Sequence, residues 1–246
     1  MTARRTALLA DCAGRLTALL LGLLLLGLLL AACASKPPAP DWQVNAFAAL
    51  KGYTAAYLSG DARVAELELA RSRSEIAGTG RADLLARAEL TRCAVRTASL
   101  EFDNCASYRP LAQDAAAPEQ AYAAFLSGHW TGLNAELLPE QYRAVVTQAA
   151  AGVPGGAAGM LGAVQDPLSR LVAAAVLLQR NDLSPADMAL ATQTASDQGW
   201  RRPLLAWLGL QLKRASAAGD VQSAARLQRR IDIVLQTHYA NPDSPH

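Results

Sequence analysis

From Asp166 to Gln179 the chain reads Asp-Pro-Leu-Ser-Arg-Leu-Val-Ala-Ala-Ala-Val-Leu-Leu-Gln. Asp166 is a good helix cap, and Pro167 fits the first helical position, where its missing amide would be unpaired anyway. The residues from Leu168 onward are apolar nearly all round, which predicts a helix over 167–179 that is central and buried. A buried helix needs other helices to cover it, and the flanking sequence supplies their starts. Ser184-Pro185 repeats the cap-and-proline pattern, with Asp187 adding favourable charge to the first turn. Pro118, Pro139 and Pro203 mark three more starts. A last hairpin pairs a helix from Pro203 to about Ala217 with one from Asp220 to about His238. In the second of these, Val221, Ala224, Leu227, Ile231, Val234 and His238 share a face.

Composition points the same way. The 246 residues are 52% hydrophobic and 18% charged, which excludes disorder. They include 53 alanines but only three isoleucines and eleven valines. Too few β-branched residues remain to build a sheet-rich fold. The expected fold is all-α, with antiparallel helical hairpins packed as a compact bundle or short solenoid over 41–246. Its first helix follows Asp41, with Trp42, Ala46, Leu50, Tyr53 and Tyr57 at helical spacing, and stops at Ser59-Gly60-Asp61. A second runs to about Ala77 with Ala65, Leu69 and Ile76 inward, and Gly78-Thr79-Gly80 turns the chain into a third over 82–98. The Gly-Asp turns at 60–61 and 219–220 are vaguely similar to those of tetratricopeptide repeats. Aligned on Gly219, Leu212 stands where that repeat has a small residue, and no period of about 34 residues recurs.

Arg4, Arg5 and Arg15 flank an uncharged, leucine-rich run from Leu16 to Ala32, the pattern of a signal peptide. The run ends in Leu30-Ala31-Ala32-Cys33, which resembles the lipobox of bacterial lipoprotein precursors. That resemblance implies a diacylglyceryl group on Cys33 Sγ, cleavage between Ala32 and Cys33, and acylation of the new amine. Residues 1–32 are then the signal peptide, and 33–40 the lipidated cysteine with a proline-rich tether. The competing reading is an uncleaved transmembrane helix, for which about 20 apolar residues are needed. Ala34 and Ser35 stand where inner-membrane-retained lipoproteins commonly carry Asp, so the resemblance implies the outer membrane, with the body facing the periplasm. Two or more acyl chains suffice for stable anchoring. Ala34 to Pro40 spans about 20 Å when extended.

Removing 1–32 takes away three Arg and one Asp, leaving 20 basic and 20 acidic residues. No basic surplus remains to neutralise phosphates, so nucleic acid is not an expected partner. Cys12 leaves with the signal and Cys33 carries lipid. Cys93 and Cys105 are therefore the candidate disulfide in an oxidising periplasm. A helix continuing through both would hold their α-carbons about 18 Å apart, whereas a disulfide needs less than about 7 Å. The chain must turn back at Glu101-Phe102-Asp103-Asn104. The histidines are 129, 238 and 246, and neither C-x-x-C nor H-E-x-x-H occurs, so no metal site and no cofactor are expected.

No serine-nucleophile motif stands in a usable context. Glu66, Glu68, Glu75, Glu89, Glu119, Glu136 and Glu140 carry no signature like that of the lytic transglycosylases and read as solvated faces. The alanine- and glycine-rich stretch 149–162 reads as a loop or hinge and lacks the endings that phosphate-cradling loops need. Trp200, Arg201 and Arg202 gather at a helix-to-helix turn and are the candidate partner-binding residues, since Trp and Arg dominate binding hot spots; the plainer reading wedges Trp200 into the core. Tyr122, Phe125, Trp130 and Tyr142, with His129, are expected to be core. The sequence predicts an outer-membrane-anchored lipoprotein acting as a non-catalytic scaffold or accessory subunit of a cell-envelope assembly. The alternative is a peptidoglycan-turnover enzyme using an unrecognised carboxylate.

Overall fold

Side-chain caps and prolines set where the helices begin. In the computed structural model, which describes residues 21–22, 38–150 and 159–239, Asp61 accepts the Val64 amide at 3.0 Å, Asp166 that of Ser169 at 2.7 Å and Ser184 that of Asp187 at 3.1 Å. The resulting helices are α1 (Asp41–Ser59), α2 (Ala62–Ala77), α3 (Ala82–Ala98), α4 (Ala117–Leu126), α5 (Glu140–Ala150), α6 (Pro167–Gln179), α7 (Pro185–Asp197), α8 (Arg201–Ala217) and α9 (Val221–Tyr239). Short 3-10 turns cover Arg109–Asp114, Ala135–Leu137 and Met160–Ala163, and the described residues contain no strand. The fold is all-α. Cys33, nearly all of the signal segment and residues 151–158 of the expected hinge lie outside the described residues. Contacts divide the chain between Pro40 and Asp41.

Pro167 and Pro185 open their helices. Pro203 falls at the third position of α8, where a helical amide still lacks an intrahelical partner. Asp41 lies within the first turn of α1.

Helix α6 is the hub. Every residue from Leu171 to Leu177 is at most 1% exposed, and α3, α4, α5 and α7 pack around it. Ala173 to Ala175 let neighbouring helices approach closely. A second cluster, Tyr53, Tyr57, Leu58, Ala65, Leu69 and Val95, joins α1, α2 and α3, and a third joins Ala46, Ile76 and Ala88.

The α8–α9 hairpin buries Leu204, Trp207 and Leu208, with Leu227, Ile231 and Val234 packed against the main core. Val221, at the start of the same stripe, is not covered: it is 79% exposed. Lys213, Arg214 and residues 216–222 are exposed too, so the hairpin tip extends past the core. The His238 side chain lies outside the described ones.

Helix α3 stops where the chain reverses. Leu100, Asn104 and Cys105 adopt positive φ, and Asp103 Oδ1 accepts the Cys105 amide at 3.0 Å. This brings the Cα atoms of Cys93 and Cys105 to 5.1 Å, and the two form a disulfide.

Candidate functional site

The outer side of α3 carries two shallow grooves that share a border at Arg87 and Thr91. The first, of about 370 Å³, lies among α1, α2 and α3 and is walled by Trp42, Ala46, Phe47, Leu50, Ile76, Leu84 and Ala88. The second, of about 410 Å³, lies between α3, α4 and residues 137–139, with Leu90, Pro118, Glu119, Tyr122, Leu137 and Leu138 as walls. Adjoining at Arg87 and Thr91, the two mostly apolar hollows are taken together as the α3 trough. A third hollow of about 510 Å³ lies between α5 and Met160 to Asp166.

The charges beside the trough are paired. Arg87 Nε sits 2.6 Å from Glu119 Oε1, the arginine 59% and the glutamate 13% exposed. Glu119 Oε2 is buried without a hydrogen-bond partner. At the far end Arg81 grips Asp83 at 2.7 Å, and that hydrogen bond holds the Asp83 carboxyl down at about 2. The Thr91 hydroxyl donates to the Arg87 carbonyl at 3.0 Å. Of the seven candidate glutamates, Glu119 is the one that borders the trough. Glu89 is buried against Arg73, whose guanidinium donates to both its oxygens at 2.5 and 2.8 Å. Glu136 is an exposed partner of Arg143.

Among the described residues, no three His, Cys, Asp or Glu side chains converge as a metal site, and no helix is long and apolar enough to cross a membrane. The trough offers mostly apolar walls and two bordering ion pairs, Arg87–Glu119 and Arg81–Asp83. In general, apolar grooves bordered by charges are suited to amphipathic segments.

Trp200, Arg201 and Arg202 come together elsewhere, in contacts within the fold. Trp200 stands immediately before α8, makes no side-chain cap, and packs against both the main core and the Tyr53–Tyr57 cluster. Arg202 Nε donates to the Tyr57 carbonyl at 2.9 Å, its guanidinium lies 4.2 Å over the Tyr57 ring, and Glu101 pairs with it at 3.3 Å. Arg201 Nε donates to the Val234 carbonyl at 3.4 Å. These residues fasten α8 to α1 and α9.

Of the second aromatic group, Phe125, Trp130 and Tyr142 are core, while Tyr122 is half-buried and lines the second groove. Phe125 lies 4.6 Å from Tyr142 and 5.6 Å from Trp130, ring centre to ring centre, and Trp130 Nε1 donates to the Phe125 carbonyl at 3.1 Å. His129 is exposed and hydrogen-bonds Ser127 at 3.0 Å.

Sequence reasoning missed two features. The trough is assembled from five separate elements, and no local spacing links Arg87 to Glu119. Asp187 does more than add charge to a helix start: it is buried, takes the Ser184 hydroxyl at 2.6 Å, and accepts the Gly159 amide at 3.2 Å. It thereby ties the end of the alanine-glycine stretch to α7.

The fold is an all-α domain of helical hairpins with a mostly apolar trough on the outer side of α3. No family model matches the chain, and comparisons with curated proteins and with solved structures find no match either.

Proposed function

We propose that the protein is a lipoprotein, anchored through Cys33 to the outer membrane, whose periplasmic body binds an envelope protein along the α3 trough and catalyses no reaction. Leu30-Ala31-Ala32-Cys33 supports the anchor, and a Cys93–Cys105 disulfide suits an oxidising compartment. The observation that carries the binding role is the trough itself. Its walls come from α1 to α4 and residues 137–139, its one glutamate is matched by Arg87, and Phe47 and Leu137 stand 71% and 36% exposed on its rims. Exposed apolar rims beside a preformed groove are the usual mark of a docking surface.

A photo-crosslinking residue at Thr91 of the native membrane-bound chain tests this. The expected result is one discrete adduct with an envelope protein, lost on Leu137→Asp and not reproduced from Ala225 on the far hairpin. Equal labelling from both positions contradicts it. The competing enzyme role would make Glu119, the groove-side carboxylate, its acid. A peptidoglycan zymogram band abolished by Glu119→Gln would establish that role instead.

A further inference from the structure

Helix α1 lies on the surface yet has no charged face. Asp41, Gln43 and Ser59 are exposed near its ends, and between them the exposed positions are Val44, Phe47, Ala48, Lys51 and Ala55, with Val44 at 54% and Phe47 at 71%. Asp41 and Lys51 are its only charges in nineteen residues. A helix covered by protein on one side and water on the other normally carries a polar outer face. Neighbouring α2 exposes Arg63, Glu66 and Arg71 alongside Val64 and Leu67, so its outer face is mixed where that of α1 holds a single charge between its ends. The outer face of α1 thus calls for a second cover.

The length of chain before it says what that cover is. Only Ala34 to Pro40 separates Cys33 from α1, about 20 Å when extended, and Phe47 lies about 9 Å further along the helix. Phe47 is therefore within about 30 Å of chain path from the sulfur that, in a lipoprotein, carries acyl chains. A surface helix with an aromatic and aliphatic ridge, and within it one lysine whose long stem lets its ammonium reach up to phosphate level, can lie in the headgroup layer. We infer that α1 is a membrane-docking helix, with Val44, Phe47 and Ala48 entering the phospholipid interface and Lys51 meeting its phosphates.

This rests on the Cys33 anchor and adds to it. The anchor alone specifies no face of the body toward the bilayer, whereas α1 would present one. The trough shares Phe47 with that face, so a partner lying in it would run beside the membrane.

The test uses the mature acylated chain on phosphatidylethanolamine–phosphatidylglycerol vesicles, with a nitroxide at Ala48→Cys and, separately, at Ala225→Cys on exposed α9. The Ala48 label is expected to collide severalfold more with oxygen than with a nickel chelate, and the Ala225 label to read as aqueous. Phe47→Asp and the milder Phe47→Ser should return the Ala48 label to the aqueous value while the acylated chain stays on the vesicles. An aqueous Ala48 label on a vesicle-bound chain overturns the docking and leaves the anchor standing. An Ala48 label shielded from both reagents also overturns it, because protein is then the cover. A chain without acyl mass that fails to float with the vesicles sinks the anchor, and the docking with it.

Discussion

The indole Nε1 of Trp207 donates a 3.2 Å hydrogen bond to the carbonyl of Ala98, across 109 residues of sequence. Ala98 ends α3, so its carbonyl is one of the four that a helix C-terminus leaves without an internal partner. Both residues are fully buried. One side chain from the last hairpin therefore caps the helix that carries Cys93 and the trough.

Trp207→Phe keeps an aromatic ring and removes the donor. The Ala98 carbonyl is then left unpaired in a dry core, at a cost of about 1–3 kcal/mol, plus a contribution from lost volume. Denaturant unfolding should show a lower midpoint with native helical circular dichroism retained below it. An unchanged midpoint would mean the bond contributes nothing.

Reducing the Cys93–Cys105 disulfide frees a loop of 12 residues. In the chain-entropy account a loop of that size is worth about 3 kcal/mol. The bridge also holds the turn in which Asp103 meets Arg92 at 3.4 Å and Arg96 at 3.3 Å. Urea titrations with and without reductant should differ in midpoint by that order, the oxidised form being the more stable.

Burial raises the hydroxyls of Tyr53, Tyr57, Tyr122 and Tyr142 above the ordinary phenol value, with desolvation the largest cause in each. In the unfolded chain these groups ionise near 10, while the folded body keeps their protons to higher pH. Between those limits the folded state holds more protons than the unfolded one. The stability these tyrosines contribute is therefore complete below about pH 10 and declines as the pH rises beyond it. Phenolate absorbance should appear together with alkaline unfolding; ionisation well before loss of helix would contradict their burial.

Much of the architecture is legible locally. Asp166-Pro167 and Ser184-Pro185 announce α6 and α7 because caps and proline act within one turn of themselves. The limits of α3 and the reversal before Cys105 follow from helical periodicity and one distance argument. What depends on distant elements is not legible. Arg87 meets Glu119 only after α3 and α4 have packed, and Trp42, Ile76, Leu84 and Leu137 converge from separate elements. Arg201 and Arg202 look like solvated recognition groups in sequence, yet α1 and α9 supply carbonyls for both guanidinium groups. Val221 fits an inward stripe, but the stripe begins beyond the reach of the core.

Lipid attachment at Cys33 supports the compartment, the tethered body and the docking of α1 alike, and intact mass analysis of the native protein extracted from membranes tests it most directly. The expected species begins at Cys33 and carries a thioether-linked diacylglyceryl group, lost in Cys33→Ser. A chain that begins at Met1 with no added hydrocarbon mass would contradict the account.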